Sequence, residues 1–205
     1  MPMRPIISTC AGTEDDPGSG LLPPRTALDL PDTARAWRVR NTLGAEGRLS
    51  LPAALALATE RRMIPAEPLL PLLAAAWQGW GPVRPDAERL GPAVELLADW
   101  TGVADAAEHA PTLFWAFTYA LFGSPWVPLD VLGEHEEGLT PARAHELLDA
   151  LAAGMSLLEQ HFGAWHLQWG LVHALQRGDR RIPVSSGAYP AVSLMHCTAD
   201  PLNQD

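Results

Sequence analysis

The chain has 205 residues, of which 47% are hydrophobic, and its 14 Lys plus Arg against 24 Asp plus Glu give a formal net charge of -10. This length suits one domain or one large piece of a bigger protein, and the apolar content is enough to build a core, which excludes a disordered chain. No run of basic residues interrupts the acidity, so binding along a phosphate backbone is not expected.

Neither a membrane span nor an export signal is expected in this chain. No run reaches the roughly 18 apolar residues that a membrane span needs. The N-terminal stretch MPMRPIISTC has one Arg but lacks the apolar region of a signal peptide. These observations leave the location of the protein open.

The cysteine and carboxylate patterns predict no metal and no cofactor. Cys10 and Cys197 are far apart and belong to no CxxC pair, so one disulfide and two free thiols both remain open. The TEDDP stretch at residues 13–17 lacks the spacing of an EF-hand, which favours a polar turn.

Turn residues divide the chain into three parts. Residues 1–31 are expected to form an irregular entry segment, because their second half is rich in Pro and Gly and has few periodic apolar positions. A helical body is predicted over residues 32–163. Residues 164–205 are predicted to form a strand and hairpin segment that returns to a sheet.

Local capping residues mark the first two predicted helices. One helix is expected to begin at Asp32 as its N-cap and to end just before Gly44. The next is expected to be capped by Ser50, with Pro52 in the first turn, where a missing N–H is tolerated.

The middle of the helical body is strongly apolar. Residues 68–80 are apolar on most sides, which predicts a short buried helix with Pro68 and Pro71 at or near its first turn. In the helix that follows, Gly91-Pro92 is expected to cause an interruption. A further helix, nearly all apolar, comes next.

The longest predicted helix runs over residues 140–163. Thr140 is its expected N-cap, and Pro141 takes the first helical position. Apolar residues at helical spacing predict a buried stripe, which consists of Leu147, Leu148, Leu151, Met155 and Leu158.

After Gly163 the apolar period changes from 3.6 residues towards two. Residues 171–176 alternate, with His173 at the centre, and are predicted to form a strand. The RGDR stretch predicts a hairpin turn into a second strand, RIPVS. A small helical domain would not need such a hairpin, whereas a larger α+β protein with a sheet elsewhere would.

Two short motifs suggest catalysis, and both fail in detail. HELLD at residues 145–149 resembles the start of a zinc-protease helix, but Asp149 stands where the second His is needed, so a solvated helix face is favoured. PVSSG is similar to a nucleophile elbow, but Pro183 replaces its first Gly and no strand-to-helix transition follows. A turn is therefore expected there.

A third candidate site consists of histidines close to Glu159 in the sequence. His161, His166 and His173 could assemble a metal or acid–base site, but their spacing is not that of metal ligands. A hydrogen-bonded structural role is favoured for His173, which has apolar neighbours.

Five segments in a fixed order connect the chain with a known family. They read STCAGTEDDP, TARAWRVRNTLG, RLSLPAALALA, LLPLLAAAW and WGLVHALQRGDRRIPVSSG. This order resembles the middle of the β subunit in penicillin acylase-type amidohydrolases, which include the acyl-homoserine-lactone acylases of the N-terminal-nucleophile superfamily. The resemblance covers nearly the whole chain and implies a helical segment of an αββα fold.

The final segment carries the most detailed match. In the family, a WGxxHRLRRG-like strand followed by PVxGG closes a helical excursion from the central sheet. The residues of this chain that stand in the matching order are Trp169, Gly170, His173, Arg177 and Gly178, whereas Ser186 departs from the pattern. The resemblance implies a sheet whose other strands lie outside these 205 residues, and hence a part of an enzyme.

The family's chemistry needs residues that this chain does not match. An N-terminal Ser attacks the acyl carbonyl while its own α-amino group acts as base, and a backbone amide and an Asn form the oxyanion hole. Where the family has a QNCNST-like segment, Pro5 and Ile7 belong to RPIIST, and neither can donate a side-chain hydrogen bond. Arg35 matches an Arg that helps to organise the pocket; a solvated Arg in the first turn of a helix is the alternative.

The resemblance thus implies a segment of an amidohydrolase that cleaves acyl amides of the antibiotic or N-acyl homoserine lactone type. Alone it is expected to be inactive, and its partners would be the missing α subunit and β N-terminal portion, or further copies that associate through residues 165–197. The alternative is a non-catalytic helical binding or scaffolding module derived from the family. Family members are often periplasmic or secreted.

Overall fold

A computed structural model of the chain describes residues 34–46, 48–123, 139–177 and 180–186. Within these ranges the chain forms seven α-helices, one 3-10 turn and one antiparallel hairpin. The helices are α1 (Ala34–Glu46), α2 (Leu51–Ala58), α3 (Ala66–Trp80), α4 (Ala87–Ala98), α5 (Ala110–Phe122), α6 (Pro141–Phe162) and α7 (Trp169–Val172). The 3-10 turn is Gly81–Val83, and the strands are β1 (Ala174–Arg177) and β2 (Arg180–Pro183).

The prediction of a mainly helical chain with a short C-terminal hairpin is confirmed. The entry segment predicted for residues 1–31, the Asp32 cap and both cysteines lie outside the described residues. The division of the chain at residues 163 and 164 stays a prediction. None of the helices in the described ranges is both long and apolar enough to cross a membrane.

The first two helices follow the predicted caps only in part. The Ala53 N–H donates to Ser50 Oγ at 3.3 Å, and Pro52 lies in the first turn of α2, as predicted. The predicted end of α1 at Gly44 is wrong, because the helix continues to Glu46. Gly44 is exposed, and a glycine there costs only about 1 kcal/mol relative to alanine, which does not stop a helix.

Two proline residues lie inside helices rather than at their ends. Helix α3 begins at Ala66, so Pro71 falls in its second turn. Helix α4 runs without a break through Gly91-Pro92, so the predicted interruption is wrong. Both prolines are exposed, and each removes a single helical hydrogen bond on a face where water can satisfy the carbonyl left without a donor.

The centre of the core is the packing of α5 against α6. The first nine residues of α5, from Ala110 to Thr118, are all buried. Every member of the predicted α6 stripe is buried too. At Gly154 the two backbones approach so closely that an added Cβ would lie 2.8 Å from Phe117 N. Helices α3 and α4 pack around this pair.

Arginine side chains join the start of α4 to the outer surface of α6. Arg84 Nη2 lies 2.7 Å from Asp149 Oδ1, and Arg84 Nε donates to Asp86 Oδ1 at 2.8 Å. The hydrogen bond from Arg84 holds the pKa of the Asp86 carboxyl below its usual value. Arg89 Nη2 donates to Glu159 Oε2 at 2.7 Å in the same manner. Asp149 therefore lies in a charged surface pair.

The hairpin begins later than the sequence pattern predicts. Leu171 and Val172 belong to the helical turn α7, and β1 starts at Ala174, so the strand predicted from Leu171 onwards is wrong at its first residues. The strands pair antiparallel, with Leu175 opposite Ile182. Residues 178–179 of the predicted turn lie outside the described residues.

Candidate functional site

The hairpin meets the helical body at a stacked pair of aromatic rings. Trp169 is fully buried, and His173 is 1% exposed. The centroids of their rings lie 4.5 Å apart, and the ring planes differ by 9°. We call these two residues the Trp–His stack. Both residues belong to the family motif described above.

Hydrogen bonds join the Trp–His stack to the residues that follow β2. Trp169 Nε1 donates to the Ser186 carbonyl at 2.7 Å. His173 Nδ1 lies 3.0 Å from the Val184 carbonyl, and the Val184 N–H donates to the His173 carbonyl at 3.1 Å. A carbonyl can only accept, so His173 carries a proton on Nδ1. The imidazole thus acts as a structural donor, in agreement with the hydrogen-bonded role favoured from the sequence.

The loop before α5 holds the other side of the Trp–His stack. The Trp169 N–H donates to the Glu108 carbonyl at 2.7 Å, and the Gly170 N–H donates to the Ala106 carbonyl at 2.9 Å. These two bonds occupy successive N–H groups at the start of α7, where a helix has no internal acceptor for them. They fix the helical turn that the alternating sequence pattern did not indicate.

Gly170 lies at the tightest point of this junction. A Cβ at this position would lie 2.7 Å from the Pro183 Cβ and 3.0 Å from the Ala106 Cβ. Because such distances are far below ordinary carbon contacts, a larger residue would push the hairpin away from the loop. The glycine of the motif is therefore explained by close packing.

Ser185 is part of a hydrogen-bonded chain and lies outside any nucleophile elbow. Its Oγ accepts from the Ala106 N–H at 3.0 Å and donates to Asp105 Oδ1 at 3.4 Å. Asp105 Oδ2 in turn accepts from Arg61 Nη1 at 2.7 Å. The Ala107 N–H and then Arg61 hold the pKa of the Asp105 carboxyl below its usual value, so this carboxylate is a weak base. Val184 and Ser185 follow β2 without regular structure and Ser186 lies at a bend, while Gly187 lies outside the described residues, so the turn predicted for PVSSG stays a prediction.

The remaining motif residues lie at the margin of the described structure. Arg177 is the last residue of β1, and Gly178 lies outside the described residues. Arg35 lies in the first turn of α1, and its role at an acylase pocket stays a prediction.

The three histidines near Glu159 do not converge on one site. His161 is exposed at the end of α6, His166 stacks on His109, and His173 stacks on Trp169. Within the described ranges, no group of three or more His, Cys, Asp or Glu side chains could hold a metal ion.

The stack of His109 on His166 was not foreseen from the sequence. The ring centroids lie 4.0 Å apart and the planes differ by only 1°. His109 immediately precedes α5, and His166 lies in the connection between α6 and α7. Burial and then the charge of His166 hold the pKa of His109 below its usual value. No local pattern could have indicated a contact between residues so far apart in sequence.

This histidine pair predicts a loss of stability in acid. Since the folded pKa of His109 lies below its unfolded value of about 6.5, its contribution to stability is complete above that pH. The contribution is lost as the pH falls through about 6.5 towards the folded pKa. Urea unfolding at pH 7.5 and at pH 5.5 should therefore show a smaller acid loss in His109→Gln than in the wild type. The exposed His161→Gln is the matched control; an equal acid loss in all three proteins would contradict this prediction.

Comparison with known proteins identifies the family. The family model described as Penicillin amidase matches residues 13–196. The chain therefore belongs to the penicillin amidase (penicillin acylase) family, and the resemblance stated above is confirmed. At family level it is an acylase-like amidohydrolase. A search of curated proteins found no match.

Proposed function

We propose that this chain supplies the helical portion of an acylase that cleaves acyl amide bonds, and that it does not perform the hydrolysis alone. The family match over residues 13–196 is the observation that carries the proposal. The substrates are amides of the antibiotic or N-acyl homoserine lactone type. Hydrolysis consumes water and yields the free acid and the amine.

The two serine hydroxyls of the family motif support the proposal that this chain does not perform the hydrolysis alone. Ser185 Oγ already donates a hydrogen bond to Asp105, and the depressed pKa of this carboxyl makes it unsuited to activate a nucleophile. Ser186 is fully buried, so a substrate carbonyl has no path to it. The motif in this chain thus has a supporting role, and we propose that the active enzyme takes its N-terminal Ser and its oxyanion Asn from outside this motif.

The hairpin has the surface expected of an element that joins a larger sheet. Ile182 on β2 is 59% exposed, and Leu171 in α7 is 56% exposed. A two-stranded hairpin has few neighbours of its own and is only marginally stable in water unless it packs on something else. Association of this hairpin with strands of a complementing chain would cover both side chains. Self-association through residues 165–197 stays a second prediction for the same surface.

A non-catalytic binding or scaffolding module remains the alternative. The hydrogen bonds of Ser185 favour this alternative too, because they join the segment after the hairpin to the loop before α5. The two proposals differ in whether acylase activity accompanies the chain in the cells that produce it. An affinity-tagged chain isolated from those cells should carry amidase activity if the chain is part of an enzyme, and none if it is a module.

We expect the purified chain to release no product from a chromogenic phenylacetyl amide or from N-acyl homoserine lactones. The reason is that the Asp105 carboxylate, to which Ser185 donates a hydrogen bond, is a weak base, and that Ser186 is fully buried. Rates would be measured for the wild type, Ser185→Ala and Ser186→Ala by absorbance and by mass spectrometry. Turnover in the wild type that disappears in either variant would show that the motif holds a nucleophile after all.

A further inference from the structure

Two stacked histidine side chains join the connection before α7 to the loop before α5. The rings of His109 and His166 have centroids 4.0 Å apart and planes that differ by 1°. The connection, residues 163–168, contains no helix or strand. We call these two rings the histidine pair. Its contact bridges two irregular segments, whose relative position depends on a small number of interactions.

The chain links the histidine pair to the start of α7 on both sides. His109 follows Glu108, whose carbonyl accepts from the Trp169 N–H at 2.7 Å. His166 stands three residues before Trp169 on the connection. The Gly170 N–H makes a second bond to the loop before α5. A movement of His166 away from His109 would therefore pull on both bonds that hold α7.

Trp165 holds the opposite side of the connection. Its ring meets that of His166 edge-on, with centroids 5.3 Å apart and planes 68° apart. Trp165 also packs against the main core, to which α6 belongs. Separation of the histidine pair should therefore spread towards α7 and the hairpin rather than towards α6.

The geometry of the histidine pair favours proton uptake over metal binding. A metal ion lies in the plane of each imidazole that ligates it, and the planes of these two stacked rings are parallel, so no ion can lie in both. An imidazole ordinarily gains its second proton near pH 6.5. When both rings carry that proton, two like charges face each other across the stack.

Other charges around the histidine pair change little between pH 7.5 and pH 5.5. Helices α5 and α7 have no side chain that ordinarily titrates in this range. The surrounding segments also carry carboxylates and arginines, which ordinarily keep their charge here: Asp105, Glu108, Glu159, Arg180 and Arg181. Asp105 and Glu159 are bound by arginines, and Glu108 is exposed. The other nearby histidines are the exposed His161 and the buried His173.

We propose that the histidine pair is an acid-sensitive switch that holds α7 and the hairpin on the loop before α5 at neutral pH and releases them when both rings are protonated. The core helices α3 to α6 stay folded in the released state. Burial and then the charge of His166 hold the pKa of His109 below its usual value, in agreement with a stack that resists a second charge. Release exposes Trp169 and His173, which are buried in the closed state. This inference does not depend on the hydrolase function proposed above.

Hydrogen exchange in the full chain, followed by NMR at pH 7.5 and pH 5.5, tests the switch. After correction for the intrinsic pH dependence of exchange, the Trp169 and Gly170 N–H groups should lose about tenfold in protection in acid, because two like charges lie in contact. The Leu151 N–H in the middle of α6 should keep its protection. His166→Phe retains a ring that can stack but cannot be protonated, so Trp169 and Gly170 should stay protected at both pH values. His161→Gln is the matched control and should behave like the wild type.

Three results would overturn the switch. Unchanged protection of Trp169 and Gly170 in the acidified wild type would show that the histidine pair does not open. An equal acid loss in His166→Phe would place the proton elsewhere, for example on His173. An equal loss at Leu151 would mean that acid unfolds the whole chain. The imidazole resonances of the unmodified chain give a test without substitution: those of His109 and His166 should shift over the same pH range in which protection is lost, and a shift confined to another range would also contradict the proposal.

Discussion

Trp169→Ala should lower the free energy of unfolding by about 3–5 kcal/mol, the usual cost of removing a large buried aromatic side chain. The indole of Trp169 is fully buried and stacks on His173. Its removal leaves a cavity beside the imidazole and deprives the Ser186 carbonyl of the Nε1–H that donates to it. Both losses fall at the junction of the hairpin with the helical body. The hairpin should therefore come loose before the helices unfold.

Two measurements separate this local effect from general destabilisation. Urea unfolding gives the change in free energy, and hydrogen exchange reports on the Val184 N–H, which donates to the His173 carbonyl. We expect Val184 to lose protection in Trp169→Ala. Trp169→Phe, which keeps an aromatic ring but loses the hydrogen bond, should cost less. Leu171→Ala is the control on the exposed side of α7; a Val184 amide that stays protected in Trp169→Ala would refute the role of the Trp–His stack.

Helix ends set by local contacts could be read directly from the sequence. Thr140 Oγ1 accepts from the Arg143 N–H at 3.2 Å, and Pro141 takes the first position of α6, both as predicted. Gly163 follows the last residue of α6 in a left-handed conformation with φ of 81°. Such features depend on residues within one turn of each other, so a short stretch of sequence contains all the information they need.

Helix interruptions could not be read in the same way, because burial outweighs local preference. A glycine costs a helix about 1 kcal/mol and a proline about 3 kcal/mol, which predicts a break at Gly91-Pro92. The inner side of α4, however, buries Leu90, Val94 and Leu97, and each such side chain contributes about 1.5–3 kcal/mol. The helix therefore continues, with Pro92 on its exposed side.

The candidate site shows the same division between local and distant contacts. The order of Trp169, Gly170 and His173 was visible in the sequence, and the resemblance to the family gave it meaning. The partners of Trp169 and Gly170 in the loop before α5 are about 60 residues away and carry no motif, since Glu108 and Ala106 accept these bonds with their backbone carbonyls. A backbone acceptor can be any residue, so no sequence pattern could have indicated it.

Gly154→Ala should destabilise the fold, although alanine is the better helix former. Gly154 lies in the middle of α6, where the added Cβ would lie 2.8 Å from both Ala116 C and Phe117 N. These are backbone atoms of a buried helix and cannot turn aside as a side chain could. Overpacking of this kind typically costs about 1–3 kcal/mol, which exceeds the gain of up to about 1 kcal/mol from helix propensity. Gly154→Leu should cost more still.

Gly79→Ala is the matched control, because it makes the same change in a helix without the close contact. Gly79 lies in α3, is exposed, and has open space where its Cβ would be. Only helix propensity acts there, so this variant should be more stable than the wild type by about 0.5–1 kcal/mol. Urea unfolding of both variants tests the sign of each change. If Gly154→Ala were also stabilising, α5 and α6 would have to separate at little cost, and their close approach could not be what holds the core together.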